Sequence, residues 1–417
     1  MTLEPRPTAS DRELIVLPSI TAQRGPNGGL ILTQKYINGV AEYAKWWPGP
    51  VTSLVTVTSH TGSDMDHVEV MPGQLSFELE QRPTSEEAFA QRIASAAVVL
   101  AFLSAPEVPT ATLCQRLGVP LVYISEYSLK TEKQILDAEV SNPFLRLRRK
   151  WWVTRMDKKR RTALAMAAGI QCSGAPTYDI YRHVNPNALL FFDSRVPLAN
   201  VIDDHLLGLK AQALRERKPL RLVFGGRLIR MKGVQDLPRF AQELRRLGVP
   251  FVLDIYGGGV LEAELTEEIQ RLGLTEQVRL KGVLDFQRQW VPLLKEQVDL
   301  FICCHPQGDP SSTYPEVMAC GVPIAGYDNE AFSRVVEYAD AGWLSPIGQP
   351  TKLAAVVARL HEHREDIVMA SVKARQFARD HSFEVTFQAR VSHLVRLSRL
   401  PAALKEPGAL KRSSGDN

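Results

Sequence analysis

Two cations stand in the pattern Gly226-Arg227-x-x-x-x-Lys232-Gly233, just past the apolar run Leu220–Phe224. A short strand-forming run followed by glycines reads as a buried parallel strand and a sharp turn. Cations at such a strand end suit a diphosphate, which arginine can bind bidentately and lysine meets as a point charge. The same pair could also be two surface cations beside a turn. A second stretch, Gly308-Asp309-Pro-Ser311-Ser312-Thr313-Tyr-Pro315-Glu316, follows another apolar run. Ser312 or Thr313 is placed to cap a helix with Pro315 and Glu316 in its first turn, and Gly321 is placed to end it. A helix start beside a strand end favours an anion. Glu316 could accept hydrogen bonds from ribose hydroxyls, or only complement the helix dipole.

These residues need a scaffold that gathers strand ends. Strands are expected at Leu14–Ile20, Thr52–Thr58, Ala97–Leu103, Pro120–Ser125, Gly169–Gly174 and Ala188–Phe192, and again at Leu220–Phe224, Phe251–Tyr256, Val278–Lys281, Val298–Cys303 and Pro323–Tyr327. Helical stretches alternate with them, which predicts parallel sheets covered on both faces, with ligands beyond the carboxyl ends of the strands. Gly257 to Gly259 free backbone at one such end. Gly28 and Gly29 close a loop before an expected helix over Leu30–Lys45, where exposed N–H groups would favour an anion or a sugar. An ordinary glycine turn explains that loop equally well. His60 and Glu126 stand at two further strand ends, as an acid, a base or polar rim residues.

Length and composition limit the alternatives. A chain of 417 residues suggests two domains, and 45% hydrophobic with 23% charged residues suits a globular protein. The net charge of +4 is too slight to argue for nucleic acid. Five cysteines without metal-type spacing fit reduced thiols in a cytoplasm. No apolar signal core is seen in residues 1–12, and no apolar run is long enough to span a bilayer. Residues 407–417 are polar and expected to be disordered.

The segment Phe144–Arg161 carries nine cations against the single Asp157. Wound as a helix, it places Phe144, Leu145, Leu147, Trp151, Trp152 and Met156 on one broad half, together with Arg148, Arg155 and Lys159. Tryptophans mixed with cations suit a headgroup surface or an anionic acceptor. The alternative is a solvated basic helix whose tryptophans pack on their own domain. A nucleic-acid groove has no recognition motif to support it.

The second half of the chain resembles the donor domain of retaining GT-B glycosyltransferases, the family-4-like type also called glycosyl transferases group 1. Three features match in order: Gly226-Arg227-x-x-x-x-Lys232-Gly233, the glycine turn Gly257–Gly259, and Pro315-Glu316-x-Met-Ala-Cys-Gly-Val-Pro323. The resemblance implies two facing Rossmann-like domains with a cleft between them: an acceptor domain over residues 1–198, a nucleotide-sugar domain over 199–388, and a returning helix with a tail over 389–417. It implies that Arg227 and Lys232 bind the nucleotide diphosphate and that Glu316 binds the ribose. Gly28, Gly29, Gly226, Gly257, Ser311, Ser312 and Thr313 would complete the donor site. The family carries a further glutamate eight residues before Glu316, where this chain has Gly308. Asp309 is therefore the expected catalytic substitute, with Glu126 and His60 as further candidates. The implied activity is sugar transfer from a nucleotide-sugar to a saccharide or lipid-linked acceptor, in bacterial polysaccharide or cell-envelope glycan synthesis. No cofactor or metal is expected beyond the donor, and no nucleic-acid partner. The expected place is the cytoplasm, with Phe144–Arg161 against the inner membrane face. A non-catalytic nucleotide-sugar or glycan-binding relative, serving as an assembly or regulatory subunit, is the competing expectation. A nicotinamide oxidoreductase would need a dinucleotide glycine fingerprint, which is absent from the sequence.

Overall fold

A computed structural model describes residues 13–59, 67–71, 73–216 and 218–399. The first sheet holds β1 (Leu14–Leu17), β2 (Thr21–Arg24), β3 (Leu30–Thr33), β4 (Val51–Thr58), β5 (His67–Val70), β6 (Glu78–Gln81), β7 (Val98–Phe102), β8 (Leu121–Ser125), β9 (Gly169–Ser173) and β10 (Ala188–Phe191). Its order is β10-β9-β8-β7-β1-β4-β2-β3-β5, with β6 beside β4. The second sheet holds β11 (Leu220–Gly225), β12 (Phe251–Tyr256), β13 (Val278–Gly282), β14 (Leu300–Cys303), β15 (Ile324–Tyr327) and β16 (Gly342–Ser345), in the order β13-β12-β11-β14-β15-β16.

Parallel sheets lie between helices, so their strands must be apolar on both faces. Leu14–Leu17 and Leu300–Cys303 are buried at every position, as that requirement predicts. Each sheet carries a separate hydrophobic cluster on each face. In the second sheet the chain runs outward from β11 in both directions, first to β12 and later to β14. Such a reversal opens a crevice at the carboxyl ends of the two strands. The segments that follow β11 and β14 are the two that carry Arg227, Lys232, Asp309 and Glu316.

One local expectation fails. The loop at Gly28 and Gly29 does not open a helix. Leu30–Thr33 pairs antiparallel with both β2 and β5, and the helix starts only at Gln34. Thr33 explains the delay, because its hydroxyl accepts from the Tyr36 N–H and caps Gln34–Trp46. Asn27–Gly29 is thus a hairpin turn.

The last helix, Phe383–Ser398, leaves the second domain and packs on the first. Phe387 meets Tyr43 edge-on with ring centroids 5.1 Å apart. Arg390 donates to the Gln171 side chain, and Gln171 donates back to the Arg390 carbonyl, both at 2.9 Å. The basic segment forms one helix, Pro143–Met166, capped by Asn142. Its second half buries Val153, Asp157, Arg160, Ala163 and Leu164, while Phe144, Leu147, Trp151 and Trp152 stand exposed. The two tryptophans are 61% and 48% exposed.

Candidate functional site

The turn after β11 is built backbone against backbone. Gly226 donates to the Tyr256 carbonyl and Leu228 to the Gly258 carbonyl, at 3.0 and 2.9 Å. At Gly257 the backbone has a φ of 133°, and a side chain would collide with the Gly226 carbonyl. At Gly233, with a φ of 68°, a side chain would collide with the Cys304 carbonyl. Only glycine permits these approaches. They hold the Arg230–Lys232 turn beside the loop that follows β14.

That closeness brings Lys232 and Asp309 together. The Lys232 ammonium donates to an Asp309 oxygen at 2.5 Å, with side chains only 12% and 9% exposed. Burial pushes the Asp309 carboxyl up, but the charge and hydrogen bond of Lys232, with the charge of Arg227, outweigh it and hold the group below its ordinary value. His305 is fully buried, and burial with the nearby Lys232 charge lowers it to about 3, so it is neutral. Its Nδ1 lies 3.3 Å from the Tyr314 hydroxyl.

Glu316 sits in the first turn of the helix Thr313–Ala319, as expected, and is buried. Ser312 stands at the cap position without a side-chain cap bond. The Ser311 hydroxyl accepts from the Thr313 N–H at 3.4 Å and donates to its side chain at 3.0 Å. The Glu316 carboxylate is held by Arg195, which donates from Nε and Nη2 to its two oxygens at 2.8 and 3.1 Å. The Arg195 guanidinium stacks 3.8 Å from the centre of the Phe286 ring.

Arg195 was not read as a site residue. It belongs to Asp193-Ser-Arg195, two residues beyond the end of β10, and a charged cluster at a strand end was the signal that could have found it. Asp193 also pairs with Lys35 at 2.6 Å. Burial lowers the Lys35 ammonium, but the Asp193 charge outweighs this and raises it.

Glu126 follows β8 in the first domain. Burial first, and the Asp309 charge second, raise it to about 7, against partial relief from Lys35 and Lys232. Glu126 and Asp309 thus face one another closely enough to couple. His60 lies outside the described residues. Gly28 and Gly29 join no part of this cluster through a hydrogen bond. The Glu69 carboxylate accepts from the N–H groups of Asn27 and Gly29, both at 3.0 Å, and from the Asn27 side chain at 2.8 Å.

The Gly308 position is closed from two sides. Its N–H donates to Gln134 at 3.3 Å, and its carbonyl accepts from Thr131 at 3.2 Å. A side chain there would collide with Glu330. The Glu330 carboxylate in turn accepts from Ser128 at 2.5 Å and Thr131 at 2.8 Å, and pairs with Lys130 at 3.2 Å. The helix Leu129–Glu139 is thereby tied across the cleft to the loop carrying Asp309. Among the described residues, no group of three or more His, Cys, Asp or Glu side chains gathers in a way that could hold a metal ion.

Residues 209–377 match the sequence model of the family described as Glycosyl transferases group 1. That match lies within the second domain and covers about two fifths of the chain. The amylovoran biosynthesis glycosyltransferase AmsK of Erwinia amylovora is 28% identical over 164 residues, which cover 38% of this chain and 40% of that protein. A putative colanic acid biosynthesis glycosyltransferase, WcaL of Salmonella typhimurium, is 24% identical over 160 residues, or 36% of this chain and 39% of that one. These matches span about two fifths of each relative. The crystal structure of Anabaena HepE in complex with UDP aligns with a TM-score of 0.64 at 15% identity, over 93% of this chain and 100% of that one. The architecture is GT-B, with two Rossmann-like domains facing across a cleft. Arg227, Lys232, Asp309 and Glu316 stand in the segments at the carboxyl ends of β11 and β14.

Proposed function

We propose that the protein transfers a sugar from a nucleotide-sugar to a saccharide or lipid-linked acceptor in bacterial polysaccharide or cell-envelope glycan assembly. The observation that carries this reading is the convergence of Lys232, Asp309 and Glu316 at the topological switch of a group 1 domain. Sugar transfer requires stabilising negative charge as it grows on the leaving diphosphate. Lys232 and Arg227 would supply that field from fixed positions, which is worth more in a closed cleft than in water. No cofactor beyond the donor is needed in this scheme. Glu316, oriented by Arg195, would take the ribose. Asp309 and Glu126 would face the sugar, with Asp309 ionised and Glu126 able to exchange a proton near neutral pH. A retaining outcome fits the family. HepE is described in complexes with UDP and with UDP-glucose, so UDP-sugars are the first donors to try. Incubation of the purified chain with radiolabelled UDP-sugars should release UDP slowly without acceptor and faster with lipid-linked saccharides. A chain that binds the nucleotides but never breaks the glycosidic bond would instead be a non-catalytic relative. The absence of the family glutamate, with Gly308 sealed by Glu330, favours that second reading.

The acceptor side of this proposal is a membrane. No helix among the described residues is long and apolar enough to cross one. The exposed Phe144, Leu147, Trp151 and Trp152 are instead set among cations on one helix end. That mixture complements the anionic inner leaflet of a cytoplasmic membrane. Cations near such a surface contribute about 1 kcal/mol each and are screened by salt, whereas the aromatic contribution persists. Binding to phosphatidylglycerol vesicles should weaken at high salt without vanishing. Joint replacement of Arg148, Arg149 and Lys150 by glutamine should weaken it further while nucleotide binding is kept. Indifference to anionic vesicles at low salt would remove the membrane from the proposal.

A further inference from the structure

Three places in the molecule that could receive an anion are filled by its own carboxylates. Glu69 occupies the N–H groups of the hairpin turn at Asn27–Gly29. Glu330 occupies the amino end of the helix Leu129–Glu139 through Ser128, Thr131 and Lys130. Asp309 occupies Lys232. Only the last sits on a cation that the proposed function assigns to the diphosphate. A carboxylate oxygen and a phosphate oxygen make the same short charge-assisted bond to an ammonium, so the two anions are rivals for one position.

We propose that Asp309 is a built-in competitor of the donor diphosphate: it pairs with Lys232, is displaced when the diphosphate arrives, and is thereby released toward the sugar. This inference rests on the donor-site reading given above. Its physical basis is burial. Lys232 and Asp309 are almost dehydrated, and a dehydrated ammonium without a counter-charge is strongly disfavoured. Binding is then an exchange of anions on Lys232, not an addition. The exchange lowers the net affinity for the diphosphate by what it costs to separate the original pair. It also makes the Asp309 charge available only when a donor is present. The Gly308 backbone beside Asp309 is fixed by Thr131 and Gln134, so the exchange would turn the Asp309 side chain rather than move the loop.

The test is calorimetric titration of the full chain with UDP and GDP, comparing wild type with Asp309→Asn. Removing the competing charge while keeping the shape should tighten diphosphate binding by about tenfold or more. Uridine and guanosine, which carry no phosphate, should bind equally to both proteins. A general loosening of the fold would not produce a gain confined to phosphate-bearing ligands. In Lys232→Met/Asp309→Asn the gain should disappear. If Asp309→Asn does not fold, Asp309→Ser in the same titration serves the same purpose. The rise in melting temperature on adding UDP should then exceed that of wild type, because ligand binding stabilises the folded state by mass action. Equal or weaker diphosphate binding in the variant overturns the proposal while leaving the donor site standing. Failure of both proteins to bind any diphosphate overturns the donor site, and the proposal with it.

Discussion

The two halves of the cleft hold their chain turns by different means. In the second domain, the turns at Gly233, Gly257 and Gly259 rest backbone on backbone, with no space for a side chain. In the first domain, the N–H groups of Asn27 and Gly29 both go to one side chain, Glu69, and a methyl group built on Gly28 would meet nothing within 4 Å, although one on Gly29 would meet the Val70 carbonyl. Both stretches look alike as sequence, since glycines after a strand promise exposed N–H groups in either case. Whether those groups face a ligand depends on a partner some forty residues away. The comparison teaches that a rigid turn delivers a cation to a fixed point, whereas a turn tied by a carboxylate has its anion already.

Substitution of the glycines would break this contrast if it is wrong. Gly257→Ala should cost about 3 kcal/mol or more, because it adds a clash with the Gly226 carbonyl to a backbone conformation that disfavours L side chains. Gly28→Ala should cost only about 1 kcal/mol, from its positive φ alone. Denaturant unfolding of the two variants measures both. Similar losses at the two positions would mean that the turns are not built differently.

The second domain was the more legible in the sequence for the same reason. Its strands are continuous apolar runs with glycine turns at their ends, and backbone packing needs no distant side chain. Leu220–Phe224 and Phe251–Tyr256 were readable to within one residue at either end. The first domain mixes parallel strands with the hairpin β2–β3 and with β5. Thr21–Arg24 and His67–Val70 carry polar residues and form strands only through their neighbours. At the candidate site, Lys232 and Glu316 were readable from type and spacing, and Asp309 only from its place beside the family glutamate that this chain lacks. Their partners were less so: Arg195 is 121 residues from Glu316, and Glu330 meets Ser128 across 202 residues. No local pattern announces a contact of that kind.

The first domain's contribution to the cleft is a carboxyl group, which makes pH the next way to sharpen the comparison. Glu126 is raised from 4.5 to about 7 by burial and then by Asp309. The sign follows from proton counting. Between those values the unfolded chain has lost its proton while the folded chain keeps it, so stability falls as pH rises through the interval. Above pH 7 the folded state carries the full penalty, on the order of 3 kcal/mol. Glu126→Gln removes it, so the variant should match wild type near pH 4 and be the more stable at pH 8. Parallel stability curves for the two proteins would show that Glu126 titrates normally and does not couple to Asp309.

Lys232 gives a smaller effect. Its replacement by alanine should weaken nucleoside diphosphate binding by about 1.5–3 kcal/mol and leave nucleoside binding unchanged, as measured by calorimetry. Competition from Asp309 places the expected value at the lower end of that interval. Equal loss for nucleoside and nucleoside diphosphate would remove Lys232 from the diphosphate site.

The smallest effect returns to the hairpin. The Glu69 carboxylate accepts three hydrogen bonds from Asn27 and Gly29, but the site is partly solvated. Glu69→Gln keeps one acceptor oxygen and loses the charge, so the cost in stability should be about 1 kcal/mol. Its value lies in a second reading of the same protein. If the hairpin turn is only a turn, diphosphate affinity will not change, because its N–H groups never meet the donor. If affinity rises, Glu69 shields an anion position as Asp309 shields Lys232, and the two halves of the cleft share one design. Titration of Glu69→Gln with UDP, beside Asp309→Asn, separates those outcomes, since a rise in the first variant cannot come from Lys232.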